Sequence, residues 1–294
     1  MARGRDWFLG LLLVAAAAIF IFFIAALFFG NAEDSLDLAT GKRLGLVEVK
    51  GVILDSEEVV KELERFGDDE SIAAIILRID SPGGGVAASQ EIYEAVKRVR
   101  TENEKFVIAS MASVAASGGY YVACGADTIM ANPGTTTGSI GVIAELINTT
   151  ELLKKIGVSF EIVKSGKYKD SGTPWRPFTE EDRRYFQTYV DDAYNQFVEV
   201  VADARDLSKE EVLKYADGRV FTGQQALNFK LIDVLGNYQD AVAMASEEAG
   251  LSGKARVVTP RRKRVTLFDV LFGDLEGYVQ RIQTWPVLRY QMIM

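Results

Sequence analysis

The chain has 294 residues, with 33 basic and 41 acidic side chains, a net charge of −8, one cysteine and no histidine. The acidic balance argues against nucleic acid as a partner, and the lone Cys124 cannot form an internal disulfide. Because histidine is absent, an ordinary Ser-His-Asp triad is excluded, and any reactive serine must use another base.

The first predicted element is a membrane anchor within residues 1–30. Trp7–Phe29 is a run of 23 residues without a charge, long enough at about 1.5 Å per residue to cross a ~30 Å hydrocarbon core. A cleavable signal has a shorter apolar core, so the length favours a retained anchor. Arg3 and Arg5 precede the run and three acidic residues follow it. This asymmetry predicts a single-pass protein of the cell membrane, with its N-terminus cytoplasmic and its bulk outside the cytoplasm.

After a linker at 31–43, residues 44–260 alternate short apolar runs with helical segments, which is typical of parallel strands joined by crossover helices. We predict strands at Leu46–Val49, Ile72–Ile79, Phe106–Met111, Asp127–Ala131, Gly141–Leu146, Phe160–Lys164 and Ala255–Val258. We predict helices from a capping box at Asp55 and Glu58 to Phe66, over Val86–Arg100, directly after Ser117, from Thr179 onward, and from a capping box at Ser208 and Glu211.

The glycine run Gly83–Gly85 lies between a predicted buried strand and a helix. A plain strand-to-helix turn explains it, but its backbone N–H groups are also suited to bind a ligand. The spacing matches neither a dinucleotide-binding fingerprint nor a phosphate-binding loop, and the sequence predicts no cofactor and no metal. The remaining functional interpretation is an oxyanion hole, in which Gly84 and Gly118 donate to an oxygen about 3 Å away.

Ser117 is the candidate nucleophile. It follows a strand-like run and precedes two glycines, so it is expected at a helix N-terminus, where the helix dipole favours an alkoxide. A tight packing contact would use the same small residues. Ser113 is the rival nucleophile, but it lacks the adjacent glycines.

Lys169 is the candidate base, 52 residues beyond Ser117. Lys167 competes for that role, as do Lys164 and Lys154 more remotely. Most lysines in such loops are simply exposed. A lysine base near neutral pH must lose a proton that a free lysine holds until about pH 10.4, a change of about three units or on the order of 4 kcal/mol. Ser139 is a candidate hydrogen-bond partner for the neutral amine, and is otherwise a turn serine.

Five motifs in order resemble the signal peptide peptidase A family in its short, single-repeat form with an N-terminal anchor; they lie at 81–84, 116–121, 137–142, 165–170 and 218–223. The resemblance covers roughly 44–249 and leaves an amphipathic tail at 261–294. It implies an α/β fold of the Clp protease and crotonase type, a stack of β-β-α units. It also implies Ser117 as nucleophile, Lys169 as base, Ser139 as the partner of the lysine, and Gly84 with Gly118 as oxyanion donors.

By this resemblance the chain is a membrane-anchored serine endopeptidase with a Ser-Lys dyad, degrading released signal peptides and other apolar segments near the membrane. Double-length relatives carry the lysine and the serine in different repeats, which implies a ring-shaped homo-oligomer with each site across a subunit boundary. A crotonase-like acyl-thioester enzyme and a stomatin-associated Clp-like membrane protease are the alternatives, and a silent scaffold is disfavoured because both dyad positions are occupied. The tail is expected on a neighbouring subunit or the membrane surface, or disordered.

Overall fold

The computed structural model describes residues 42–251, 255–259 and 289–291, and these belong to a compact unit that begins at Lys42. The predicted anchor Trp7–Phe29 and most of the tail lie outside the described residues. Within the described ranges, no helix has both the length and the apolar character needed to cross a membrane.

The strands are β1 (Arg43–Lys50), β2 (Ile72–Ser81), β3 (Gly83–Gly85), β4 (Phe106–Ala116), β5 (Thr128–Ala131), β6 (Thr136–Gly138), β7 (Val220–Thr222), β8 (Val234–Leu235), β9 (Val257–Val258) and β10 (Arg289–Gln291). The helices are α1 (Glu57–Asp68), α2 (Val86–Thr101), α3 (Gly118–Ala123), α4 (Thr150–Lys155), α5 (Glu180–Arg205), α6 (Lys209–Leu213), α7 (Gly223–Asn228) and α8 (Tyr238–Glu248).

The described strands form a mixed sheet of eight, in the order β7-β6-β4-β2-β1-β9, with β5 and β8 branching from β4. The first half of β4 pairs with β5 and its last residues pair with β6, so the sheet divides along this strand. All neighbours are parallel except β6 and β7. This mixed α/β architecture is compatible with the predicted Clp protease type of fold, and β3 with β10 forms a separate two-stranded sheet.

The sheet is buried on both faces, as its near-continuous apolar strands predict. Alternate residues of β2 enter different cores: Ile75 and Leu77 join the larger core, and Ala74 and Ile76 join the smaller one, which α8 covers. The larger core is completed by α1, α2, α3 and α5. Ser117 therefore follows a strand that is fixed from both sides.

Several predicted elements are confirmed, including the helix that opens at Thr179, the capping box at Ser208 and the strand at Ile72. Strand β4 extends beyond Met111 to Ala116, and therefore ends directly at Ser117. Helix α1 begins at Glu57 with Ser56 as its N-cap and without a side-chain cap bond, so the predicted capping box at Asp55 is wrong.

The predicted strands Gly141–Leu146 and Phe160–Lys164 are wrong. Residues 141–146 contain only an isolated bridge at Ile143, and residues 160–164 have no regular structure. A strand needs a neighbour to satisfy its backbone groups, and neither segment lies in a ladder of the described chain. The side chains of Phe160 and Val163 are exposed, which is the physical reason that their apolar pattern misled the sequence analysis.

Candidate active site

Ser117 lies at a sharp strand-to-helix turn between β4 and α3. Its backbone has φ +53° and ψ −118°, outside the helical and extended regions, and this strain is typical of turns that present a nucleophile. The amide of Ser117 donates to the Gly138 carbonyl at 2.8 Å, and the Tyr121 amide donates to the Ser117 carbonyl at 2.8 Å. The backbone on both sides of the serine is therefore fixed.

The Ser117 hydroxyl is buried and has no hydrogen-bond partner among the described residues. A buried hydroxyl without a partner is uncommon, because burial of an unpaired polar group costs roughly 1–3 kcal/mol. The Ser117 hydroxyl is therefore one of the few buried side-chain groups left unpaired among the described residues.

Ser139 leaves the sheet beside Ser117. Ala116 and Gly138 are paired in the parallel ladder of β4 and β6, so the serines that follow them emerge at the same edge. Ser139 is buried, has φ +51°, and its amide donates to the Arg219 carbonyl at 2.8 Å. A cleft of about 760 Å³ opens at Ser139. The structure thus brings the two predicted serines together.

The glycine strand β3 lies against the start of α3. Gly83 has φ +96°, and a Cβ at this position would lie 2.6 Å from the Gly118 amide nitrogen. Only glycine permits this approach. The Gly85 amide donates to the Ile53 carbonyl at 2.7 Å, and because amides alternate along a strand, the Gly84 amide faces the opposite edge.

No hydrogen bond joins Lys169 to Ser117 within the described chain. The Ser117 hydroxyl has no partner, and Lys169 lies in an exposed turn where its amide donates to the Gly166 carbonyl at 3.2 Å. The rival Lys167 forms an ion pair with Glu181, and the hydrogen bond to that carboxylate raises the pKa of Lys167. Lys167 is therefore the weaker candidate for a base.

An ion-pair cluster that the sequence analysis missed follows Lys169 in the chain. The Arg176 guanidinium donates to Asp182 at 2.6 and 2.8 Å, and its Nε lies 3.2 Å from an oxygen of Asp170. Lys164 donates to Asp170 at 2.6 Å. The Arg176 hydrogen bonds hold the pKa of the Asp182 carboxyl well below its usual range, and the Lys164 bond lowers the pKa of Asp170.

This cluster connects the turn that carries Lys169 to the first turn of α5. Asp182 also accepts from the Thr179 amide at 3.0 Å, as the partner in the helix-capping box. The capping pattern was readable from sequence, but nothing in the spacing indicated that Arg176 would share the same carboxylate.

The sequence profile of Peptidase family S49 matches residues 100–252, a range that contains Ser117, Ser139 and Lys169. The chain belongs to peptidase family S49. A putative protease of Synechocystis sp. is 46% identical over 72% of this chain and 76% of the relative. A putative signal peptide peptidase SppA of Enterococcus faecium is 34% identical over 78% and 71%. Protease 4 of Haemophilus influenzae is 34% identical over 70% of this chain and 34% of the relative.

Membership in family S49 confirms the resemblance to the signal peptide peptidase A family that the five motifs indicated. It makes the chain a protease of serine type with peptide substrates, and it favours this activity over the crotonase-like alternative. Family S49 relatives match most of the described domain.

Proposed function

We propose that this family S49 protease uses Ser117 as its nucleophile and Lys169 of a neighbouring copy as its general base. The observation that carries the proposal is the Ser117 hydroxyl, held at a strained turn beside Ser139 and Gly118 without a hydrogen-bond partner among the described residues. Structural serines in a core are normally hydrogen-bonded. A hydroxyl prepared in this way needs a base to become a nucleophile.

The chemistry follows from these positions. The neutral Lys169 amine takes the Ser117 proton while the oxygen attacks the scissile carbonyl, and the N–H groups of Gly84 and Gly118 stabilise the resulting oxyanion. Lysine then gives its proton to the leaving amine, and water hydrolyses the ester by the same route in reverse. Ser139 accepts a hydrogen bond from the lysine and holds it toward Ser117.

Exposed apolar side chains near Lys169 support a site built between copies. Val163 is fully exposed at 102%, and Leu152, Ile156 and Phe160 are each more than half exposed. The apolar segment 160–164 also has no strand neighbour in its own described chain. A second copy packed here would cover these side chains and could bring Lys169 to a neighbour's serine. A head-to-tail contact of this kind forms a ring when its rotation closes.

The proposed location is the cell membrane, with Trp7–Phe29 as the anchor and the protease domain outside the cytoplasm. The basic residues before this apolar run and the acidic residues after it support that orientation. We propose released signal peptides and other apolar segments as substrates. The support is the similarity to the Enterococcus faecium relative, a putative signal peptide peptidase, together with the proposed position beside the bilayer.

The test is hydrolysis of a panel of fluorogenic peptides by the purified full chain. Ser117→Ala and Lys169→Ala are each expected to reduce kcat/KM by several orders of magnitude, because nucleophile and base act as one unit. Lys167→Ala is the matched control and is expected to retain activity. The assignment of the base is wrong if Lys169→Ala keeps normal turnover while Lys167→Ala loses it.

A further inference from the structure

The turn that carries Lys169 is fixed at the backbone, although the side chain of Lys169 is exposed. The Lys169 amide donates to the Gly166 carbonyl at 3.2 Å, and the Ser171 amide donates to the Tyr168 carbonyl at 3.1 Å. Two overlapping turns therefore enclose Lys169. Because an exposed lysine keeps its rotamer freedom, the accuracy with which its amine is placed depends on what holds the backbone beneath it.

Both residues adjacent to Lys169 in the chain are held by side-chain contacts. The Tyr168 ring stacks on the Tyr185 ring of α5 at 5.1 Å between centroids, and the Tyr168 hydroxyl donates to Glu181 at 3.1 Å. Asp170, on the other side of the lysine, is buried, with only 6% of its surface exposed. The exposed lysine thus lies between an aromatic contact with α5 and a buried carboxylate.

Arg176 connects this buried carboxylate to α5. Its Nε lies 3.2 Å from one oxygen of Asp170, and a terminal nitrogen donates to the other oxygen at 3.3 Å. The terminal nitrogens also donate to the two oxygens of Asp182, in the first turn of α5, at 2.6 and 2.8 Å. A planar guanidinium can engage two carboxylates in this way, whereas a lysine ammonium cannot match both. Without Arg176, the buried Asp182 would lose its cation and the turn would lose this connection to the helix.

The carboxylates that contact this turn are each paired with a cation other than Lys169. The pairs are Lys164 with Asp170, Lys167 with Glu181, and Arg176 with Asp182. Among the described residues, Lys169 is the only basic residue of the segment 164–176 that forms no ion pair. An ion pair within one chain holds a lysine amine in place and in its charged form. The cluster therefore fixes the turn without engaging the amine of Lys169.

We propose that Arg176 is a positioning residue for the base: it joins Asp170 to Asp182 and thereby fixes the turn that presents Lys169 to the serine of a neighbouring copy. The role of Lys169 as the base rests on the proposed function. In this role Arg176 touches neither the substrate nor the reacting atoms. Loss of Arg176 misplaces the base and lowers kcat, whereas the binding of substrate beside the serine is unchanged and KM stays the same.

Steady-state kinetics of the full chain provide the first test. Arg176→Gln is expected to lower kcat about 100-fold with KM within about twofold of the wild type, because a displacement of about 1 Å at a catalytic group has an effect of that size. Arg176→Lys keeps the charge but not the contact with both carboxylates, and its kcat is expected to be intermediate. The matched control Arg183→Gln removes an exposed arginine from the first turn of α5 and is expected to keep the normal kcat. A normal kcat in Arg176→Gln overturns the proposal.

Co-assembly of two variants assigns the effect to the lysine side of the site. Hetero-oligomers of Arg176→Gln and Ser117→Ala proteins, purified through two affinity tags, are expected to regain about one quarter of wild-type activity. That share of head-to-tail contacts joins an intact lysine turn to an intact serine. Hetero-oligomers of Arg176→Gln and Lys169→Ala proteins are expected to stay near the activity of Arg176→Gln alone, because the altered turn then carries every lysine that remains. Recovery in the first mixture also shows that Arg176→Gln protein folds and assembles.

The same mixtures separate this proposal from the proposed function. If Ser117→Ala complements Lys169→Ala but does not complement Arg176→Gln, the positioning role is wrong and the proposed function stands. If Ser117→Ala complements neither protein, the dyad lies within one chain and the site between copies is wrong. The kinetics then decide the role of Arg176: a lower kcat at constant KM, absent from Arg183→Gln, supports it, and an equal loss in Arg183→Gln overturns it.

Discussion

Ser117 and Lys169 lie in two regions that hold their side chains by different means. Ser117 directly follows β4, whose last two residues are fully buried, and the α3 helix behind it is buried along its whole length. Lys169 lies in the segment 143–178, whose only helix is the six-residue α4 and whose side chains are largely exposed. Packing within one chain therefore determines the serine position, whereas the described chain forms no hydrogen bond between the lysine and the serine.

The segment 143–178, the lysine region, is nevertheless ordered by its own contacts. Phe160 stacks on Trp175 and Tyr168 stacks on Tyr185, each pair at 5.1 Å between ring centroids. Such pairs contribute about 0.5–1.5 kcal/mol each, and Arg176 adds its ion pairs. These contacts preserve the shape of the segment while leaving its apolar surface open, which is the property expected of a surface that a second copy covers.

Subunit mixing is the test of this difference with the largest expected effect on activity. Ser117→Ala and Lys169→Ala proteins, each inactive alone, are expected to regain about one quarter of wild-type activity when co-assembled, since that share of head-to-tail contacts carries both residues intact. Hydrolysis is measured on hetero-oligomers purified through two different affinity tags. Complete inactivity of well-mixed assemblies would place both residues of the dyad within one chain.

A charge on the exposed surface of the lysine region should separate assembly from folding. Val163→Asp is expected to leave the free energy of unfolding within about 0.5 kcal/mol, because Val163 contacts solvent on all sides, at 102% exposure. It is expected to prevent association and to reduce activity about 100-fold, because a carboxylate is costly to bury in an apolar contact. Light scattering and thermal unfolding provide the two measurements.

Leu213→Asp on the short helix α6 is the matched control, since this leucine is half exposed but lies outside the lysine region. It should assemble and cleave normally. An oligomer of normal mass and activity in the Val163→Asp protein would show that the lysine region is not an interface.

The same contrast explains how much of the fold and of the candidate site could be predicted from the sequence. The buried strand at Ile72, the crossover helices and Ser117 with its glycines were predicted, because burial and local turn chemistry leave a pattern in neighbouring residues. The segment 160–164 also carries three apolar residues, but it has no strand neighbour in its described chain. Periodicity reports apolar character, and it does not report which chain supplies the partner.

The position of Tyr290 could not be predicted from the sequence for a different reason. Its pocket is formed by α3 and α5 and its backbone partner is Gly84, all distant in sequence from the C-terminal strand. The tail was expected on another subunit or the membrane, and the part of the tail that is described pairs with the glycine strand instead. A three-residue strand carries too little pattern to predict a pairing of such long range.

Loss of the ion pair between Arg176 and Asp182 is expected to have the smallest effect, a decrease in the free energy of unfolding. Because the folded-state pKa of Asp182 is lowered, its contribution is fully present above the unfolded pKa near 4 and is lost as pH falls below that value. Asp182→Asn is therefore expected to cost about 1–3 kcal/mol at pH 7 and to reduce the loss of stability on acidification. Urea unfolding at pH 7, 5 and 3 measures both effects.

Glu180→Gln is the control for that last prediction, since Glu180 begins the same helix but is exposed, 3.6 Å from Arg183. Exposed pairs contribute at most about 1 kcal/mol, so its unfolding curve should follow the wild type at every pH. If Asp182→Asn also follows the wild type, the cluster does not stabilise the lysine region. The order of that region would then have to come from its aromatic stacks or from contact with a second copy.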